Sequence, residues 1–182
     1  MMFPVASPVF VVVDGPPASG KSTLAPALAQ RLRLPLLAKD TIKGALMEVV
    51  PPTDVEHSRQ LGRAAVRAML ALAAASPIGA VLESSFYCSR AAADLARLPG
   101  RVVEVFCRCG HEIAKARYGD RAGTRAAGHF DHLRTDGELW NPGVAEPVAG
   151  GWPVVEIDTN TPVELSAAIV ALRSAAPWSV PS

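Results

Sequence analysis

Residues 9–22 read VFVVVDGPPASGKS, and the fold turns on this stretch. Val9–Val13 is an unbroken apolar run, four valines around one phenylalanine, and it predicts a strand covered on both faces, as in a parallel sheet. Asp14-Gly15 ends the run. Gly15, Pro16, Pro17, Ala18, Ser19, Gly20, Lys21 and Ser22 then match G-x-x-x-x-G-K-S in full, after a strand and at the start of a helix. In such a loop the glycines let backbone amides turn inward around phosphate oxygens, and the helix N-terminus adds partial positive charge. Lys21 reaches the outermost phosphates, Ser22 offers a hydroxyl to Mg²⁺, and Thr23 adjoins them in the same turn. The ligand expected is a nucleoside triphosphate, ATP or GTP. A chance glycine turn is the alternative, and the lysine and serine standing together weigh against it.

Outward from the loop, strands and helices alternate. Lys21–Arg33 reads as a helix, Leu34–Ala38 as a second strand, and Lys39-Asp40-Thr41 opens a helix that Pro51-Pro52 stops. Asp54 caps a long helix to about Ala75, with Leu61, Ala65, Ala68 and Leu72 on its apolar face and Arg59, Arg63 and Arg67 on another. Ile78–Leu82, Arg101–Cys107 and Val154–Ile157 are three further strands, with helices over Arg90–Leu98, His111–Asp120 and Pro162–Arg173. Five strands in this rhythm predict a three-layer α/β fold with a parallel sheet and helices on both faces. Gly119–Gly128 reads as a surface segment, and the tail from residue 176 as loosely held.

The chain of 182 residues fits one domain, 1–182, and shows no repeat or linker that would divide it. Hydrophobic residues at 49% speak against disorder, yet no run approaches the roughly 20 apolar residues of a membrane helix, so no membrane partner is expected. A net charge of +1 gives no electrostatic case for nucleic acid. Cys88, Cys107 and Cys109 lack disulfide or zinc-ribbon spacing, and with no targeting segment at the N-terminus the expected compartment is the cytoplasm. Nothing in the sequence speaks to oligomeric state.

With the loop, the segment Lys39-Asp40-Thr41-Ile42-Lys43, the strand end Val81-Leu82-Glu83 and an arginine-rich stretch after the fourth strand, the chain resembles the small P-loop kinases. These include the shikimate, gluconate, adenylylsulfate and chloramphenicol kinases, the zeta toxins, and above all the predicted kinases carrying an AAA-type label. The resemblance runs from about Val9 to Arg173. It implies sheet order 2-3-1-4-5, an arginine-bearing lid at about 117–130, and transfer of the ATP γ-phosphate to a hydroxyl of a small molecule such as an antibiotic, sugar or nucleoside.

The resemblance gives Asp40 the role of accepting or orienting the acceptor's proton; the alternative is a helix cap, since Asp is a favoured cap and Lys39-Asp40-Thr41 opens a helix. Glu83 stands where an acid would hold a magnesium-bound water or position the acceptor, or is a plain strand-end carboxylate. Lys43, Arg59 and Phe86 are the candidates for acceptor contact, and Arg59, Arg63 and Arg67 also read as a solvated helix face. Arg117, Arg121 and Arg125 fall four apart. By resemblance the first two close on the transferring phosphate, against the alternative of a wet surface. Thr159 and Asn160, in the loop Asp158–Pro162, lie along the base by the same resemblance, or form an ordinary turn with Thr161 as cap. His129, Asp131 and His132 carry no role that can be derived.

Two other classes stay open: a nucleotide-dependent switch or adaptor without phosphotransfer, and a polynucleotide 5′-hydroxyl kinase or toxin-like nucleotide-sugar kinase. A candidate base together with lid arginines favours an enzyme over a switch.

Overall fold

The computed structural model describes residues 7–122, 130 and 133–176, with the side chain of residue 122 excluded. Arg125, His129, Asp131, His132, most of the segment after 122 and the tail beyond 176 lie outside the described residues.

Five strands form one sheet: β1 (Val9–Asp14), β2 (Leu36–Ala38), β3 (Gly79–Glu83), β4 (Arg101–Arg108) and β5 (Val154–Asp158), ordered β2-β3-β1-β4-β5 and parallel throughout. The register places Val13 beside Glu83 on one side and Val105 on the other, so β1 is central and its carboxyl end is flanked by those of β3 and β4.

Strand alternation sends side chains to two cores. Val9, Val11 and Val13 point with Val81, Val103 and Val105 toward helices α1 (Lys21–Leu32) and α8 (Leu165–Ala175), meeting Leu24, Leu28, Ile169 and Leu172. Phe10 and Val12 point with Ala80 and Leu82 to the other face, against Met69 and Ala73 of α3 (Val55–Ala75) and Ala91 and Leu95 of α4 (Cys88–Leu95). Burying each such valine or leucine contributes about 1.5–3 kcal/mol, which explains why β1 carries no polar residue before Asp14. The remaining helices among the described residues are α2 (Lys39–Val49), α5 (His111–Ala122) and two single turns, α6 (Asp136–Leu139) and α7 (Pro142–Ala145). No helix among the described residues is long and apolar enough to cross a membrane.

Several local expectations are corrected. The buried face of α3 is Ser58, Ala65, Met69 and Ala73, while Leu72 is exposed; the helix is alanine- and leucine-rich around much of its circumference, so periodicity alone left its rotation undetermined. The α2 N-cap is Ala38 and no side chain caps it, which puts Asp40 inside the first turn rather than at the cap. The last helix begins at Leu165 with Glu164 as cap, its side chain accepting from the Ala167 amide, so Thr161 is not the cap. Asp54 does cap α3, accepting from the His57 amide at 2.8 Å.

Candidate active site

In an open parallel sheet, ligands gather at the carboxyl ends of the strands where successive connections leave in opposite directions. Here that point is the end of β1, between β3 and β4. The Gly15–Ser22 loop begins there with three residues at positive φ: Gly15 at 140°, Ala18 at 60° and Gly20 at 91°. A Cβ on Gly15 would stand 2.7 Å from both the Cys107 carbonyl oxygen and Ser19 Oγ, so only glycine lets the loop hug β4. The Lys21 ammonium is buried and donates to the carbonyls of Gly15 at 2.8 Å and Pro16 at 2.7 Å, drawing the loop into a ring around it. Burial pulls its pKa down, and the charges of Glu83 and Asp14 push it back up. Ser19 Oγ is buried with no hydrogen-bond partner among the described residues. An orphaned hydroxyl within a ring of inward-turned backbone suits a phosphate oxygen.

Asp14, fully buried below the loop, accepts from the Gly15 amide at 2.6 Å and the Phe86 amide at 2.9 Å, linking the phosphate loop to the loop after β3. Burial raises its pKa to about 7, outweighing those amides and Lys21. An unfolded aspartate titrates near about 4, so from about pH 4 to 7 the folded chain keeps a proton that the unfolded chain has lost. The stability contributed by Asp14 is therefore fully present below about pH 4 and is lost as pH rises through about 7. Asp14→Asn keeps an oxygen acceptor for both amides and cannot ionise. Its melting temperature should exceed that of wild type at pH 8, with the gap narrowing toward pH 5; a difference independent of pH would contradict this account.

A cavity of about 890 Å³ opens above the loop between α2, α3, α4 and α5. Residues 17–22 of the phosphate loop line it, together with Asp40, Lys43, Arg59, Glu83, Phe86 and Arg121. Asp40 accepts from Lys39 Nζ at 2.8 Å on the cavity rim. Glu83 is half-buried at the end of β3; burial raises its pKa, opposed by the Lys21 charge. The buried Lys43 ammonium donates to Ser58 Oγ at 2.7 Å, fastening α2 to α3. Arg59 pairs with Glu138 of α6. Arg121 Nη1 lies 3.5 Å from Ser22 Oγ, which brings the end of α5 over the phosphate loop.

Arg117 lies elsewhere. Its guanidinium donates to the carbonyls of Thr159 at 2.9 Å and Asn160 at 3.0 Å, outside the cavity lining. Thr159 is itself buried against the phosphate loop, its Cβ 3.5 Å from where a Gly20 Cβ would be, and Asn160 Oδ1 accepts from the Gly110 amide at 2.8 Å. Arg117 and Arg121 stand four positions apart on one helix, yet one holds a backbone loop and the other faces Ser22.

The turns after the fifth helix carry site residues with weak sequence signals. Trp140 Nε1 donates to the Pro17 carbonyl at 3.3 Å, and its ring meets those of His111 and Tyr118 edge-on, with centroids 5.2 and 5.6 Å away. A capping box, Thr135 with Glu138, starts α6 and was the one readable sign of this turn. Arg134 also lines the cavity and had no local signal.

The sheet order, the loop at the central strand and the helices on both faces define a three-layer P-loop NTPase fold. A family model described as an AAA domain matches residues 10–135, and the chain belongs to that family. Among solved structures, it is similar to a candidate kinase from Chloroflexus aurantiacus J-10-fl, at 29% identity and a TM-score of 0.83, over 93% of this chain and 98% of that one. It also shares its fold with a gluconokinase from Sinorhizobium meliloti 1021, at 19% identity and TM-score 0.61 over 94% and 93% of the two chains. A shikimate kinase from Acinetobacter baumannii in complex with shikimate matches at 19% identity and TM-score 0.58, over 93% of each chain. A search of curated proteins finds no match.

Proposed function

We propose that the protein is an ATP-dependent kinase that transfers the γ-phosphate to a hydroxyl of a small molecule, an antibiotic, sugar or nucleoside. The observation carrying this reading is that one cavity joins the phosphate loop to a carboxylate, Asp40, that stands on a separate element, α2. A nucleotide-binding switch needs the loop alone; a kinase needs a second group to take a proton from its acceptor. The names of the similar solved structures point the same way.

In this mechanism the acceptor hydroxyl oxygen bonds to the γ-phosphorus as the bond to the β–γ bridging oxygen breaks. ADP leaves, and the hydroxyl proton passes to Asp40 and on to solvent. Lys39, paired with Asp40, orients that carboxylate. Lys21 and the loop amides hold the phosphates, and Ser19 Oγ gains a partner among their oxygens. Ser22 Oγ, with Glu83 acting through water, provides oxygen ligands of the kind Mg²⁺ takes. Magnesium, when bound, neutralises charge on the β- and γ-phosphates. Arg121 offers a cation beside Ser22 for the charge spread over the moving phosphoryl group, while Arg117 fixes the Thr159–Asn160 loop where the base would lie.

The test is an ATP-consumption screen over antibiotics, sugars and nucleosides, with Asp40→Asn run in parallel. Acceptor-dependent ADP formation by wild type that fails in the variant is the expected result, and ADP formation indifferent to every acceptor contradicts it. Arg121→Ala should lower turnover about 10²-fold while ATP affinity shifts only a few-fold, because its contact strengthens in the transition state. Arg117→Ala should instead weaken ATP binding as its loop loosens. Equal effects at the two positions on both quantities would show that they do not divide the work.

A further inference from the structure

The chain as a whole carries a net charge of +1, but its cavity does not share that balance. Nine cationic side chains line it against four acidic ones. Each acid already faces a cation: Asp40 pairs with Lys39, Glu138 with Arg59, Glu83 sits in the field of Lys21, and Asp94 lies 3.9 Å from Arg97. Lys21 and Arg121 face the phosphate loop, Lys43 donates to Ser58 Oγ, and Arg63 pairs with Glu56. This leaves Arg67 on α3, Arg90 on α4, and Arg134, none of which pairs with a carboxylate among the described residues. Arg134 Nε is in addition buried with no hydrogen-bond partner there, an unusual state for a guanidinium nitrogen.

The setting strengthens the effect of that surplus. Val66, Leu70, Phe86 and Leu95 line the same cavity, and apolar walls lower the local dielectric. Arginine's planar fork matches two oxygens of a carboxylate or phosphate, where a neutral hydroxyl would leave it under-used. The α3 arginines therefore belong to a cavity wall and not only to a solvated helix face.

We propose that the cavity binds an acceptor bearing an anionic group, a carboxylate or a phosphate, through Arg67, Arg90 and Arg134. Calling that ligand the acceptor rests on the kinase reading above; the anion site itself does not. The group would sit apart from the phosphate loop, leaving the hydroxyl free to face Asp40.

The experiment uses ribose, ribonate and ribose 5-phosphate, a series differing in charge. Each is titrated calorimetrically into the full chain saturated with Mg²⁺ and a non-hydrolysable ATP analogue, so that the phosphate loop is already filled. Ribonate or ribose 5-phosphate should bind at least about tenfold tighter than ribose, and whichever binds better tells carboxylate from phosphate. Arg67→Gln, Arg90→Gln and Arg134→Lys should each remove about tenfold or more of that preference, with melting temperature and analogue affinity preserved in the first two, which change exposed side chains. Failure of both anions to bind better than ribose, or a preference unchanged in all three variants, overturns the proposal. Anion binding through these arginines without phosphate transfer from ATP would sustain the site and count against the kinase reading. Transfer confined to neutral alcohols would do the reverse.

Discussion

Lys21→Ala should lower ATP turnover by about 10²- to 10³-fold, the scale seen when one preorganised donor to developing charge is deleted. The ammonium sits inside the loop, bonded to the Gly15 and Pro16 carbonyls, so its removal costs both the phosphate contact and the ring that shapes the loop. Nucleotide affinity should fall with turnover. The sheet does not depend on this side chain: β1 is held by β3 and β4 and by valines packed into two cores. Circular dichroism should therefore show an unchanged fold, with a modest drop in melting temperature from the two carbonyls that lose their donor. ATP affinity and turnover both equal to wild type would mean that the loop does not hold the nucleotide.

Asp40→Asn should lower phosphate transfer by about 10² to 10⁴, the usual contribution of a positioned general base, while ATP affinity stays within a few-fold. The side chain keeps its size and loses its charge. Because Ala38 holds the α2 N-cap, the substitution removes no cap. What the helix loses is one acid in its first turn, typically 0.3–1 kcal/mol at an exposed position, and the ion pair with Lys39, which is partly exposed and contributes little. Melting temperature should move by only a few degrees. The chemical and structural effects are thus far enough apart to be read separately. Transfer within a few-fold of wild type would remove Asp40 from the mechanism.

The parts of the fold that depend on local pattern were legible in the sequence. A run of valines ending in Asp14-Gly15 can be little else than a buried strand, and the glycine and lysine spacing of Gly15–Ser22 is a backbone requirement written in residue type. The five strands appeared within a residue or two of their observed bounds, and the sheet order implied by resemblance is the order found. Rotation and reach were not legible. The sequence put Leu61, Ala65, Ala68 and Leu72 on the core face of α3, whereas Ser58, Ala65, Met69 and Ala73 are buried, because apolar residues lie around much of the helix and period alone does not set its rotation. The cap reading of Asp40, the alternative to a catalytic one, fails because the N-cap is Ala38, two residues earlier and within the ordinary uncertainty of helix ends. Arg117 and Arg121 looked equivalent on one helix face, yet the first donates to the loop after β5 while the second lies beside Ser22. Arg134 and Trp140 reach the site across distant sequence, where no local spacing announces a contact.

The central claim is that the γ-phosphate goes to an acceptor hydroxyl, and following that phosphate tests it most directly. The protein is incubated with Mg²⁺, γ-labelled ATP and the acceptor panel, and the label is traced. Label is expected in an organic phosphate ester, formed one-for-one with ADP and lost in Asp40→Asn. Label released only as inorganic phosphate, or ATP left bound and intact with every acceptor, would contradict it.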